Sequence, residues 1–298
     1  MRPQLKRAGR NRWYVDLDSP VPGQAADLDP KKVKYQRIPG VTTIVRNGMP
    51  KEALMNYAGT ATADYAVNNW EELSALPAAE RLSRLNKGRY ESRDNAAQRG
   101  QQVHQLAQKL VRDQEVPVPP ELEGYVAAAV RFMDEFAIEP IVEELTVFSP
   151  KHYYCGTLDL GAYCEIPDLA EYEWIPLMED GRARGLFDYK LSRSGIWGDV
   201  AYQLAPYRFA EFCLMPDGEG GFEIDSVPEF DFAAGVHLRP DGTYSVIPVE
   251  CEIQQFEDFL TIMANAAVVD RSKDLILSEI IPPRTSRFRL TKTAEAAS

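Results

Sequence analysis

The sequence predicts an α/β protein, a mixed central β-sheet flanked by helices with an N-terminal helical extension. Three observations carry that prediction. Apolar residues recur at helical spacing up to about residue 137, the period shifts to that of strands from Ile141, and a helical stripe returns after the last strand pair.

Residues 1–37 are polar and rich in Pro, Gly and Asp, and read as a basic arm with one short strand at Trp13–Val15. Residues 38–285 read as a single domain and 286–298 as a basic tail. The first helix is expected just after Pro50, where Leu54, Tyr57, Ala58, Ala61 and Tyr65 form an apolar stripe. Pro77–Gly88 predicts a short helix, and Asp94 is read as the cap of a longer one carrying Arg99, Gly100, His104 and Leu110. Leu122, Tyr125, Val126, Ala129, Met133 and Phe136 give a further stripe, closed by Pro140, so the helical part covers about 50–137.

From Ile141 the run IVEELTVF is strand-like, and YYCGTLDLGAYC reads as its hairpin partner. The acidic stretch at about 166–184 reads as an insertion with an extra strand at Glu173–Leu177. GLFDYKL is the next strand, followed by a helical run over Asp199–Leu214 in which Pro206 predicts a kink. Ala234–Leu238 and Tyr244–Val249 flank the turn Pro240-Asp241-Gly242. Phe256, Phe259, Leu260, Met263 and Ala267 define a closing helix.

With 298 residues, 45% of them apolar, the chain is long enough to bury a sizeable core. No apolar stretch approaches the roughly 20 residues that span a bilayer, and Met1–Arg12 lacks the apolar centre of a secretory signal. A cytoplasmic protein without membrane contact is expected. Cys155, Cys164, Cys213 and Cys251 lie far apart with no CxxC pair, which favours buried thiols over zinc or an iron–sulfur cluster. The net charge of −12 speaks against a nucleic-acid partner, but its distribution is uneven. Residues 1–51 hold 11 Lys/Arg against four Asp, whereas 114–183 hold 15 Asp/Glu against three Lys/Arg. Arg284, Arg287, Arg289 and Lys292 make the tail basic again, and such polarity permits a cationic rim around an acidic centre.

The sharpest chemical feature is Asp188-Tyr189-Lys190. Alternation along a strand puts Asp188 and Lys190 on one face, a carboxylate beside an ammonium. By itself such a triplet is also an ordinary surface ion pair. Asp159, in GTLDL, supplies a second carboxylate if the two strands pair in register, and two carboxylates with carbonyl and water suit Mg2+ or Mn2+. Phosphodiester hydrolysis uses a cation that polarises phosphoryl oxygen beside a second positive group. His104 stands at the edge of the apolar face formed by Val103, Leu106, Ala107 and Leu110, where it serves either as a hydrogen bonder or as a further ligand. Gln203 and Tyr207 are spaced i, i+4 on one helical face.

Taken in order, RGxxVH, GTLD, DYK and QLAPY resemble the RecB-like branch of the PD-(D/E)XK nuclease superfamily, which includes phage exonucleases and CRISPR-associated RecB-like nucleases. The lead-in PGVTTIVRNGMPKEALMNYA is similar to that of phage-encoded members, so the resemblance covers most of the chain from about residue 38. It implies a restriction-endonuclease-like core, with Asp159, Asp188 and Lys190 catalytic and His104, Asp159 and Asp188 binding Mg2+ or Mn2+. Gln203 and Tyr207 match the QxxxY motif, which implies a part in positioning substrate. A metal-dependent DNA nuclease of exonuclease type is implied, serving phage recombination, repair or replication, with DNA and a recombination or replication protein as partners. Glu143 and Glu144 both fall where relatives carry another acid, and alternation does not choose between them. The relatives that carry an iron–sulfur cluster have C-terminal cysteines, and this sequence has none after Cys251. The alternative reading is a catalytically silent nuclease fold that binds nucleic acid or protein. A third makes Glu115–Asp180 a surface for a basic partner.

Overall fold

The computed structural model describes residues 1–8, 11–21, 34–49, 52–111, 116–166, 172–192, 195–218 and 221–275. The chain opens with strands β1 (Pro3–Ala8) and β2 (Asn11–Pro20), to which β3 (Tyr35–Ile38) adds antiparallel. The N-terminal segment is therefore a three-stranded sheet rather than an arm with one short strand. Its tie is Asp16, only 2% exposed, which accepts hydrogen bonds from Arg2 N–H (2.8 Å), Asp18 N–H (3.1 Å) and Ser19 Oγ (3.0 Å).

Next comes α1 (Val41–Gly48), ahead of the helix expected after Pro50; Val41, Ile44 and Val45 bury its inner face. The expected helix is α2 (Glu52–Asn68), followed by the short α3 (Trp70–Ala75). The two helices predicted at Pro77–Gly88 and after Asp94 are a single 34-residue helix, α4 (Ala78–Val111). No proline falls within it, so the backbone ladder has no reason to break at Asp94. Arg81 closes the end of α3 by donating to the carbonyls of Leu73 (2.9 Å), Ser74 (3.1 Å) and Leu76 (3.0 Å), groups that a helix C-terminus leaves unpaired. Helix α5 (Glu123–Glu135) matches the predicted stripe.

The larger sheet contains β4 (Glu139–Ser149), β5 (Tyr154–Cys164), β6 (Ala183–Lys190), β7 (Phe212–Pro216), β8 (Phe222–Asp225), β9 (Phe232–Leu238) and β10 (Tyr244–Val249). Their order is β10-β9-β6-β5-β4-β7-β8, mixed because β6 and β9 run parallel. The β4–β5 and β9–β10 hairpins are as predicted. Glu173–Leu177 is turn and coil rather than a strand, anchored by buried Ile175. Helix α6 (Asp199–Arg208) continues through Pro206 but stops before Leu214, because Phe212–Pro216 pairs with β4 and β8 as β7. Helix α7 (Ile253–Arg271) closes the described chain, and the basic tail lies outside the described residues.

Two apolar layers sandwich the sheet. Leu145, Val147, Leu158 and Leu186 pack with Ile44 of α1, Leu204 of α6 and Phe259 of α7. Leu160, Phe187 and Val236 pack with Val103 of α4 and Phe132 of α5. Adjacent residues such as Leu186 and Phe187 belong to different layers, as a strand's two-residue period requires. The four cysteines are buried and free. Among the described residues no helix is long and apolar enough to cross a membrane.

Candidate metal centre and DYK cluster

The site forms where two strands part. β5 and β6 pair from Cys164↔Ala183 to Leu160↔Phe187, and the ladder ends there. At the next position Asp159 substitutes for it, its Oδ2 accepting Tyr189 N–H at 3.0 Å. The alternation of β5 also reverses at this point: Tyr154 and Leu158 pack in the α6–α7 layer, whereas Leu160, Ala162 and Cys164 pack in the α4–α5 layer. β4 has the matching irregularity. Val142 and Leu145 both enter the α6–α7 layer, and between them Glu144 has a left-handed backbone (φ 45°). A non-glycine residue there typically costs about 1–3 kcal/mol, strain that is most often stored at functional sites. The register Glu143↔Leu160 and Leu145↔Leu158 leaves Glu144 across from Asp159.

Helix α4 brings His104 to this fork. Its Nδ1 lies 3.3 Å from Asp159 Oδ2, and its Nε2 is 3.1 Å from the Tyr189 carbonyl oxygen. One ligand atom each from His104, Glu144 and Asp159 lie within 4.8 Å of one another. The structure thus selects Glu144 over Glu143 for this group, a choice that side-chain alternation could not make because the strand is irregular at that residue. A small cavity is lined by all three members of the group and by Glu143, Gln108, Leu160 and Tyr189.

Asp188 projects to the opposite layer, with Leu186, and meets α6. Gln203 Nε2 donates to Asp188 Oδ1 at 2.7 Å, and Lys190 Nζ donates to Gln203 Oε1 at 3.0 Å. Lys190 Nζ also lies 2.5 Å from Asp188 Oδ2, an ion pair outside hydrogen-bond alignment that closes the triangle. The predicted residues therefore fall into two adjoining sets, His104–Asp159 with Glu144, and Asp188–Lys190–Gln203. Tyr207 is a member of neither, although the charges of Asp188 and Asp159 reach it. It is 2% exposed, packs on Gly156, where a Cβ would lie 2.3 Å from its Cε1, and hydrogen-bonds Thr42. A tyrosine four residues from Gln203 thus anchors α6 to β5 and α1 and lines no open surface.

No family model matches the chain, and no curated protein matches it. What the residues can do is read from their charges. Burial would lower the pKa of His104, but the carboxylates of Asp159, Asp188 and Glu144 overcome it and raise the imidazole to about 9. Burial pushes Asp159 up, yet His104, Lys190 and the Tyr189 N–H hold it below the usual carboxylate range. Asp188 lies above that range, through burial and the neighbouring Asp159 charge, against the pull of Lys190. Lys190 resists its own burial through Asp188, Asp159 and Asp199 and stays firmly protonated. The His104 proton that these carboxylates hold has to leave before the ring can donate to a metal; the two carboxylates and the neutral imidazole then form an O,O,N donor set of the kind a divalent cation takes. A protonated amine stands beside it.

Proposed function

We propose that this chain is a metal-dependent DNA nuclease. The single observation that carries the reading is the fork itself, where a three-residue cation-binding group adjoins a fixed ammonium–carboxylate–amide triangle. His104, Glu144 and Asp159 are the residues that would hold Mg2+ or Mn2+. A divalent cation, when bound, supplies Lewis-acid polarisation of a phosphoryl oxygen and a water of lowered pKa. Lys190 offsets the negative charge that builds on the phosphoryl oxygens and orients the attacking water. As the water oxygen bonds to phosphorus it gives up a proton to solvent, the bond to the leaving strand breaks, and the leaving oxygen takes a proton from solvent. Gln203 fixes the separation of Lys190 and Asp188, and Asp188 keeps the amine charged. Tyr207 holds the helix that carries Gln203.

The exonuclease class, a phage recombination, repair or replication setting, and a cytoplasmic location are parts of this proposal that rest on the sequence resemblance. The test is cleavage of labelled linear and circular DNA by purified protein with Mg2+, Mn2+ or chelator. Linear DNA is expected to be degraded with either cation and circular DNA spared, while Asp188→Ala slows cleavage by about 10²–10³-fold. Cleavage by neither cation, or an unimpaired Asp188→Ala, overturns the enzymatic reading. In that case Mn2+ calorimetry separates a silent cation-binding fold from one with no cation site.

A further inference from the structure

A row of polar side chains leads from the DYK cluster across the sheet to a guanidinium held by hydroxyls. β9 lies beside β6 in parallel register, with Lys190 opposite His237, and β10 lies beside β9, with His237 opposite Ser245. Residues in register on adjacent strands project from the same face, so Lys190, His237 and Ser245 share the side on which Lys190 meets Gln203 of α6. Their chain neighbours Val236, Leu238, Tyr244 and Val246 pack in the opposite, α4–α5 layer. His237 Nε2 lies 2.7 Å from the carbonyl oxygen of Ser192, just past the end of β6, and Arg239 Nη2 donates to Ser245 Oγ at 2.6 Å. Ser245 stands two interstrand spacings, about 9.5 Å, from Lys190.

Arg239 is anchored differently from other arginines of this region. Arg131, Arg182, Arg184 and Arg208 each meet a carboxylate. Arg239 is held by neutral oxygens, Nη1 donating to Thr243 Oγ1 at 3.2 Å and Nη2 to Ser245 Oγ, and among the described residues it forms no ion pair. Asp241, the acid of the same turn, feels its charge, but Asp241 Oδ1 accepts hydrogen bonds from Thr243 N–H (3.0 Å) and Oγ1 (2.7 Å) instead. The two hydroxyls fix the plane of the guanidinium and leave its other N–H groups to donate elsewhere. In a chain of net charge −12, such a preoriented cation suits an anion from outside, and phosphate takes a guanidinium in a bidentate pair. We infer that Arg239 binds a backbone phosphate of the substrate strand close to the scissile one, so that the strand crosses β6, β9 and β10 along this row. The inference rests on the nuclease reading and adds the path of the strand to it. With each nucleotide advancing roughly 3.4 Å along a duplex strand, that phosphate lies within about three nucleotides of the cut.

The experiment compares wild type, Arg239→Lys and Arg239→Gln. Fluorescein-labelled single-stranded and duplex oligonucleotides are titrated in chelator between about 50 and 200 mM salt, and their cleavage is followed with Mn2+. Arg239→Gln is expected to bind about 10- to 100-fold more weakly, with KM raised by the same factor and kcat little changed. Its plot of log affinity against log salt becomes shallower by about 0.7 on the single strand and about 0.9 on the duplex, the share of one phosphate contact. Arg239→Lys keeps the wild-type slope and loses part of the affinity, because it retains the charge without the fork. Oligonucleotides with one neutral methylphosphonate linkage, moved position by position, test the idea without altering the protein. One linkage near the cut costs wild type the same factor and costs Arg239→Gln nothing more. If wild type cleaves and Arg239→Gln matches it in affinity and slope, Arg239 only braces the β9–β10 hairpin; if every linkage costs the two proteins alike, it takes at most a free anion. Either result refutes the inference and leaves the nuclease reading standing. If wild type neither binds nor cleaves DNA, both fall together.

Discussion

Glu144 is the residue whose backbone and side chain pull in opposite directions. Its left-handed φ of 45° is unfavourable for any side chain, and the strand tolerates it while the carboxylate faces His104 and Asp159. Glycine adopts that backbone freely. Glu144→Gly is therefore expected to leave the thermal midpoint of the metal-free protein unchanged or raised, while Mn2+ affinity falls at least the 10- to 100-fold that even outer partners of a metal site cost. Paired thermal denaturation and Mn2+ calorimetry check this, and a loss of stability with intact affinity would mark Glu144 as structural.

Among elements, the contact between α1 and α7 is a direct test of the packing. A Cβ at Gly48 would stand 2.1 Å from the Ile262 carbonyl oxygen, and Asn265 Nδ2 donates to the Gly48 carbonyl at 2.8 Å. The clash is with backbone, which cannot rotate away. Gly48→Ala is expected to destabilise by about 1–3 kcal/mol in chemical denaturation, the usual cost of overpacking. The same scale explains what could be read from the sequence. β4, β5, β6, β9, β10, α5 and α7 were legible because each is long enough to display its period. α1 and β8 are too short to display one, and the last three residues of the expected 199–214 helix belong to β7 through pairing with distant β4 and β8. The pair Asp188–Lys190 was legible from strand spacing, whereas helix spacing tied Gln203 only to Tyr207 and did not show its bonds to Lys190 and Asp188. Asp159 and Glu144 were only half legible, since their placement depends on irregularities that break the alternation used to read them.

At the scale of the whole molecule, Asp231 makes an inner tie that is sensitive to acid. Asp231, with its side chain 9% exposed, accepts hydrogen bonds from Arg184 N–H (2.8 Å), Nε (3.1 Å) and Nη2 (2.7 Å), joining the start of β6 to the approach to β9. Burial would raise its pKa, but Arg184 outweighs burial and holds it below the ordinary 3.8. A carboxylate depressed in the folded state adds stability above its unfolded pKa, and that stability fades as pH falls through the lower folded value. Asp231→Asn is accordingly expected to cost about 1–3 kcal/mol at pH 7 and progressively less below about pH 4. Thermal denaturation of both proteins at pH 7 and pH 3 measures it, and an equal deficit at the two values would exclude the linkage.

Asp159 stands where the β5–β6 ladder ends, and its carboxylate takes the Tyr189 N–H that the ladder leaves over. It takes an imidazole from one side and the field of an ammonium from the other, so it acts as a rivet driven through the wall. Repacking deep in either helical coat, out of reach of any bound molecule, will therefore register at the same carboxylate.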